Sequence, residues 1–143
     1  MKKILIPIDE KENVKTMEAA KDLALKFDSE LVLLHVKRRF EIDSHLPSDF
    51  NEIENPEVKK ALEDYAVGVV DKAAEYFKDT SIKVSKKVIK GHIASQICDY
   101  AEENKCDLIM ISSHGHGAAE RFLIGGVTSR VVHHANVPVM VIR

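Results

Sequence analysis

The sequence predicts an α/β fold: a five-stranded parallel sheet with helices on both faces. Short apolar runs, typical of buried strands, alternate along the chain with longer segments whose apolar residues recur at helical spacing. The strand runs are almost continuously apolar, as expected when helices cover both faces of a sheet. The resulting order, βαβαβαβαβ, favours parallel strands joined by crossover helices. With 143 residues and no break in the pattern, the chain is predicted to form one domain, residues 1–143.

The first part of the chain carries two strands and the helix between them. Lys3 to Asp9 predicts a strand, with Pro7 near its end because proline cannot donate a ladder hydrogen bond. Glu30 to Val36 predicts the second strand, in which His35 is interpreted as structural. Asn13 to Phe27 predicts a helix between them, and its apolar stripe consists of Met17, Ala20, Leu23, Ala24 and Phe27.

A segment of different character follows, from Lys37 to Asn55. It begins with the basic run Lys37-Arg38-Arg39 and continues with Asp, Ser, Pro and Asn, without regular periodicity. It is predicted to be a long loop, and loops of this length are often lids or partner surfaces. The basic run is interpreted as solvated charge, with attraction of phosphate as the alternative.

The remaining elements alternate in the same way. Pro56 to Lys78 predicts a long helix, and Ile82 to Ile89 a more exposed strand because its apolar residues alternate with lysines. A turn at Gly91 and a helix ending near Asn104 lead to a buried strand, Leu108 to Ile111. Two final elements are predicted, the helix Val127 to His134 and the strand Val137 to Ile142. The apolar stripe of the long helix is predicted to be Leu62, Tyr65, Val69, Ala73 and Phe77.

Composition excludes several classes of function. The formal net charge of −2 gives no global attraction to nucleic acid or to an anionic membrane. No apolar run reaches the roughly 18 residues of a membrane span. The N-terminus meets Pro7 and Asp9 too early for a signal peptide. Cys98 and Cys106 are predicted to be reduced thiols, which favours a cytoplasmic location.

The segment from Asp107 to Arg130 is the candidate ligand-binding region. It runs from a buried strand through a polar, glycine-containing loop to the start of a helix, an arrangement that cradles phosphate through backbone N–H groups. A glycine-rich turn without a ligand is the alternative, since isolated glycine patterns are weak signals. Asp9 follows the first strand, where open α/β sheets bind ligands, although it would serve equally well in a turn or a helix cap.

The sequence contains no convincing catalytic set. A catalytic triad could be imagined from Ser113, His114 and Asp9, but nothing in the sequence brings their side chains together. The pairs His114-x-His116 and His133-His134 lack a carboxylate or thiol at matching spacing, so a metal site is not predicted.

Over nearly its whole length the chain resembles the universal stress protein family. The resemblance rests on ILIPID at 4–9, LLHV at 33–36, the pattern of 91–111, and the block SSHG, nine residues, GGVTSRVVHHANVPVMVIR. The nucleotide motif of that family is G-x2-G-x9-G-[ST]. Gly115 and Gly125 match its second and third glycines. Ser112 stands where the first glycine is expected, and Gly126 where Ser or Thr is expected.

These two departures predict weakened rather than abolished nucleotide binding. Ser112 adds a side chain close to the expected ribose and phosphates. Gly126 lacks a hydroxyl that would bond a phosphate oxygen, but it keeps its backbone N–H. Losing one neutral hydrogen bond costs on the order of 1 kcal/mol.

The resemblance implies an adenine nucleotide alpha hydrolase-like fold with strand order 3-2-1-4-5. Asp9 and the loop 112–126 would then face one crevice, where the connections of two neighbouring strands leave in opposite directions. On the adenine and ribose side the resemblance implies Pro7, Asp9, Val36 and Ile111. Backbone groups that hold phosphate are implied at Gly115, Gly125, Gly126 and Val127. The implied site is completed by Ile8, Ser112, His114 and Thr128.

The resemblance also implies a ligand and a partner. The ligand is ATP or another adenine nucleotide, with Mg²⁺ held by its phosphate oxygens. The partner is a second copy of the chain, paired through Val137 to Ile142, since an apolar sheet edge is normally covered. A stress-response module that binds nucleotide without efficient catalysis is the favoured function. A stress protein that acts without nucleotide and a slow ATP hydrolase are the alternatives.

Overall fold

The fold was described from a computed structural model, which covers residues 1–11, 13–38, 55–113 and 124–143. These residues form one sheet of five strands together with four helices. In chain order the elements are β1 (Lys3–Pro7), α1 (Val14–Phe27), β2 (Glu30–Arg38), α2 (Pro56–Glu75), β3 (Val84–Gly91), α3 (Ile93–Glu103), β4 (Leu108–Ser112), α4 (Gly126–His134) and β5 (Val139–Ile142).

The sheet has the order β3-β2-β1-β4-β5, and all four neighbouring pairs are parallel. Both the five parallel strands and their predicted order are confirmed. The central strands β1 and β4 are paired over only two registers, Ile4 with Leu108 and Leu5 with Ile109. Beyond this point β1 remains paired with β2 and β4 with β5. The two central strands therefore stop pairing with each other before their carboxyl ends.

Two apolar clusters cover the two faces of the sheet. Ile4, Ile6 and Leu33 pack with residues of α1 and with Phe77, just beyond α2. The alternate residues of the same strands, such as Leu5 and Leu34, pack with α3 and α4. Side chains of a strand point alternately to its two faces, so continuous apolar runs supply both clusters. The prediction of helices on both faces is confirmed.

The predicted apolar stripe of α2 was wrong in one respect. Ala66 and Val70 are the buried residues of this helix, whereas Tyr65 is 57% exposed. One position along a helix corresponds to about 100° of rotation, so the inward face is displaced from the predicted one. The small Ala66 side chain lies on that inward face. In α1, Phe27 is likewise exposed, and the buried members of its stripe are Met17, Ala20 and Ala24.

Element ends differ from the predictions by a few residues. β2 continues through Arg38, and the side chain of Asn55 caps α2, so the predicted loop is shorter at both ends; residues 39–54 lie outside the described ranges. β3 begins at Val84 and ends at Gly91, which has a φ of +150°. None of the described helices is long and apolar enough to cross a membrane. Cys98 and Cys106 are free cysteines.

The N-terminus is attached to the sheet by the carboxylate of Asp107. Its Oδ2 accepts hydrogen bonds from the amides of Lys2, at 2.8 Å, and Lys3, at 2.9 Å. The Lys3 amide, followed by that of Lys2, lowers the pKa of Asp107 because both donate to the charged form. The ionised carboxylate therefore holds the start of β1 beside the start of β4.

We expect Asp107→Ala to lower the melting temperature at pH 7 and to have little effect at about pH 2. A carboxyl group whose pKa is lowered on folding stabilises the fold above its unfolded pKa of about 3.9, and that contribution is lost as the pH falls through the lower folded pKa. Thermal unfolding followed by circular dichroism measures the difference. Asp64→Ala, at an exposed position on α2, is the control. An equal loss at both pH values would contradict this role.

Candidate functional site

A crevice opens at the carboxyl ends of β1, β2 and β4, next to the point where β1 and β4 stop pairing. Its volume is about 490 Å³, within the usual range for small-molecule sites. The sheet supplies its floor, and side chains of α2, α3 and α4 form its walls. Of the predicted site residues, those that line it are Pro7, Ile8, Asp9, Val36, Ile111, Val127 and Thr128.

Ser112 lies on the other face of the sheet. It lines a neighbouring cavity of about 650 Å³ between α1 and α2, which also includes Pro7, Ile8 and Asp9. Ser112 is buried and follows Ile111 on β4, so the two side chains point to opposite faces. The structure therefore brings Asp9 close to both residues but separates Ser112 from the residues that line the crevice.

Asp9 has the turn role that its sequence position suggested, and it also lies at the crevice. Its Oδ1 accepts a hydrogen bond from the Lys11 amide at 2.9 Å, which closes a turn after β1. Its side chain also lines the crevice. The cap of α1 is Asn13 rather than Asp9, because Asn13 Oδ1 accepts from both the amide and the hydroxyl of Thr16. The turn holds Asp9 at the mouth of the crevice.

His35 has the predicted structural role, and it also shapes the crevice. Its Nδ1 lies 2.7 Å from the carbonyl oxygen of Ile8, and its side chain is buried. A carbonyl oxygen can only accept, so Nδ1 carries the hydrogen. The amide of Ile8 in turn donates to the carbonyl of Leu34 at 2.8 Å. These two contacts hold the chain between Pro7 and Asp9 against the end of β2.

The start of α4 forms the other side of the crevice and is joined to β4 by two hydrogen bonds. Thr128 is 1% exposed, and its hydroxyl donates to the carbonyl of Ser112 at 2.7 Å. The amide of Gly125 donates to the carbonyl of Ser113, the residue after β4, at 2.9 Å. The amides of the first turn have no acceptor within their own helix. Because the Gly125 amide is already bonded, the amides of Gly126 and Val127 are the ones suited to an anion.

Gly126 has room for a side chain. A Cβ atom added to it would meet no atom within 4 Å, and the residue is exposed. Two further predicted site residues, His114 and Gly115, lie outside the described residues. Of the motif positions that follow Ser112, the structure therefore describes only Gly125 and Gly126.

Helices α2 and α3 contribute to the crevice, which the sequence did not predict. Leu62, Tyr65 and Ala66 of α2 and Ile93 and Ile97 of α3 line it, and none of them had been assigned to a site. Apolar residues at helical spacing predict a helix face that packs inward. That pattern does not distinguish a face packed in the core from one that forms the wall of a crevice. Lys90, at the end of β3, also lines the crevice. Within the described ranges, no group of three or more His, Cys, Asp and Glu residues is arranged to hold a metal ion.

The fold and the crevice define an α/β protein of the adenine nucleotide alpha hydrolase-like type. The model of the universal stress protein family matches residues 1–143. This chain belongs to the universal stress protein family. Among its relatives, universal stress protein MJ0531 of Methanocaldococcus jannaschii is 32% identical over 149 residues, which cover 99% of this chain and 82% of MJ0531.

A second relative from the same organism has a solved structure. Universal stress protein MJ0577 is 30% identical over 157 residues. Its structure superposes with a TM-score of 0.79 and covers 99% of this chain and 94% of MJ0577. The universal stress protein of Archaeoglobus fulgidus in complex with dAMP, 18% identical, has a TM-score of 0.69 and covers 100% and 98% of the two chains. A universal stress protein in complex with cAMP, 14% identical, has a TM-score of 0.71.

We expect Thr128→Val to destabilise the fold by about 1–3 kcal/mol, because it leaves the carbonyl of Ser112 without this buried donor. Thr128→Ser keeps the hydroxyl and is the control for the change in shape. Urea unfolding followed by circular dichroism measures both variants. If Val and Ser destabilise equally, the hydrogen bond between α4 and β4 does not hold the helix in place.

Proposed function

We propose that this protein binds an adenine nucleotide in the crevice and acts through occupancy of that site rather than through efficient catalysis. One observation carries the proposal: an apolar crevice and the first amides of a helix meet at the carboxyl ends of the two central strands. Open α/β sheets bind ligands at this position. The dAMP and cAMP complexes of two family members support an adenine ligand for this chain.

The crevice suits the two ends of a nucleotide in different ways. Val36, Ile111 and the partly buried Ile93 provide an apolar surface for the adenine ring. We propose that the Asp9 carboxylate accepts from the ribose hydroxyls, and that the amides of Gly126 and Val127 donate to phosphate. Most of these groups are apolar or belong to the backbone, so they bind and orient the ligand. Mg²⁺, where present, would be carried by the phosphate oxygens.

Two alternatives remain distinct from this proposal. The first is a family member that has lost the nucleotide and acts through its dimer and protein partners; the bonded Gly125 amide and the absent hydroxyl at Gly126 favour it. The second is a slow ATP hydrolase. Release of phosphate from ATP, measured against a sample without protein, separates the hydrolase from both binding modules.

We further propose that the protein forms a homodimer through β5, the edge strand within the predicted segment Val137 to Ile142. The two edges of the sheet differ in chemistry. β3 carries Lys86, Lys87 and Lys90, and charged residues protect an edge from pairing. β5 reads Val-Met-Val-Ile, and Met140 is 38% exposed. The apolar edge is therefore the one suited to pairing with a second copy. A cytoplasmic location is also proposed, since two free cysteines suit a reducing compartment.

We expect Gly126→Ser to tighten ATP binding by up to about tenfold, because the added hydroxyl can donate to a phosphate oxygen and its Cβ meets no neighbour. Isothermal titration with ATP, ADP and AMP measures the effect. Gly68→Ser is a matched control, since a Cβ at this α2 position also meets no atom within 4 Å. Gly125→Val is expected to abolish binding by obstructing the approach of the phosphates.

The nucleotide proposal fails if millimolar ATP gives neither heat nor thermal shift with the wild type, and neither Gly126→Ser nor Ser112→Gly creates one. Ser112→Gly also tests which face of the sheet the ligand uses. Ser112 lines the neighbouring cavity, so its substitution should alter binding less than Gly126→Ser does.

We expect Met140→Lys to convert a dimer into a monomer of 16.1 kDa, because it places a charge on the apolar edge strand. Light scattering coupled to size-exclusion chromatography measures the mass. Val67→Lys, at a 47% exposed position on α2, is the control. A dimer that persists in Met140→Lys, or a wild type that is already monomeric, would exclude this interface.

A further inference from the structure

A third cavity, with a volume of about 570 Å³, lies between the first turns of α3 and α4 and the ends of β2 and β3. We call it the cationic cleft. Among the described residues that line it, none is acidic, and three carry basic side chains. The lining residues are Arg38, Gly91, His92, Ile93, Ala94, Gln96, Val127 and Arg130.

The cationic cleft adjoins the crevice, because Arg38, Ile93 and Val127 line both cavities. Each cavity has a volume in the range of sites for nucleotide-sized molecules. They differ in charge: the lining of the cleft includes Arg38, His92 and Arg130 and no acidic residue, whereas the lining of the crevice combines Lys37, Arg38 and Lys90 with Asp9 and Glu10. A ligand that spans both would therefore carry an anionic group at the end in the cleft.

The side chains of the cleft are already in contact with one another. Nη1 of Arg130 lies 3.4 Å from Nε2 of His92, although the two residues are 38 positions apart in the chain. On the other side of the ring, Nδ1 of His92 lies 3.0 Å from the Ser95 hydroxyl and accepts from the Ser95 amide at 3.4 Å, which caps α3. The contact with His92 therefore places Arg130 beside the start of α3.

The electrostatics of the cleft favour an anion. Helices α3 and α4 both present their amino-terminal ends to this region, and neither has an acidic residue in its first turn. The amino-terminal end of a helix carries positive partial charge, so cationic side chains beside it are unfavourable unless an anion is bound. Arg38, His92 and Arg130 are nevertheless gathered at this place.

We propose that the cationic cleft is a phosphate subsite, in which Arg38 and Arg130 bind a phosphoryl group that lies beyond the one at the start of α4. Arginine is suited to this role because its planar donors match phosphate oxygens. Because the two cavities share Arg38, Ile93 and Val127, we assign the group to an adenine ligand with a second phosphate-bearing arm, such as two nucleosides joined by a polyphosphate. That identification rests on the proposed function. Free phosphate bound beside a mononucleotide is the other source of the same chemistry.

The test compares AMP, diadenosine tetraphosphate and inorganic pyrophosphate by isothermal titration. With the wild type, the dinucleotide should bind about tenfold or more tightly than AMP, as one additional charge-assisted contact predicts. Arg130→Gln, at a residue that lines the cleft but not the crevice, should lose that excess and keep the affinity for AMP within about twofold. Lys87→Gln removes one charge from an exposed residue that lines neither cavity, and it should behave as wild type.

Each outcome distinguishes the sources of phosphate. If pyrophosphate binds the wild type but not the arginine variant, and the dinucleotide has no advantage over AMP, the subsite takes free phosphate. If the arginine variant binds all probes as the wild type does, or loses AMP and the dinucleotide equally, the subsite is refuted. Failure of the proposed function has its own result: AMP would then bind neither the wild type nor Arg130→Gln, while pyrophosphate would still bind the wild type more tightly than Arg130→Gln.

Discussion

The structure depends on the burial of β1 and β4 between two layers of helices. These central strands pair with each other over only two registers and then continue with different partners. Pro7 cannot donate a ladder hydrogen bond at the end of β1, so the gap between the strands is formed where the backbone of β1 would otherwise pair. His35, buried at the end of β2, holds the following residue, Ile8, by its carbonyl. The same packing that stabilises the sheet therefore creates the crevice.

The distribution of charge follows from this arrangement. Lysines lie along the β3 edge, where they oppose further pairing, and the β5 edge is apolar. Arg38 and Arg130 are different, because these exposed side chains line a cleft beside the starts of α3 and α4. Positive charges gathered at the positive ends of helices are best stabilised by an anion. The local cluster of cations therefore indicates an anionic ligand, although the net charge of the whole chain is −2.

Much of the fold was predictable because its signals are local. A continuous apolar run indicates a strand covered on both faces, and this held for β1, β2 and β4. Tyr65 shows where such signals end. It has the helical spacing of a core residue, yet it is exposed and lines the crevice, because Ala66 faces the sheet in its place. Periodicity predicts that a helix has an apolar face. The rotation of the helix about its axis, and so which residues of that face contact the sheet, depends on which side chains pack closest.

The sequence by itself determined the alternation of elements and the parallel sheet, because both follow from short-range periodicity or from a recognisable family pattern. Only the tertiary structure decided that Ser112 and Ile111 face different cavities and that the Gly125 amide is already bonded. It also decided that Arg130 meets His92 across 38 residues. Such contacts depend on how helices dock on the sheet, and docking is set by the summed packing of many side chains, which no local pattern contains.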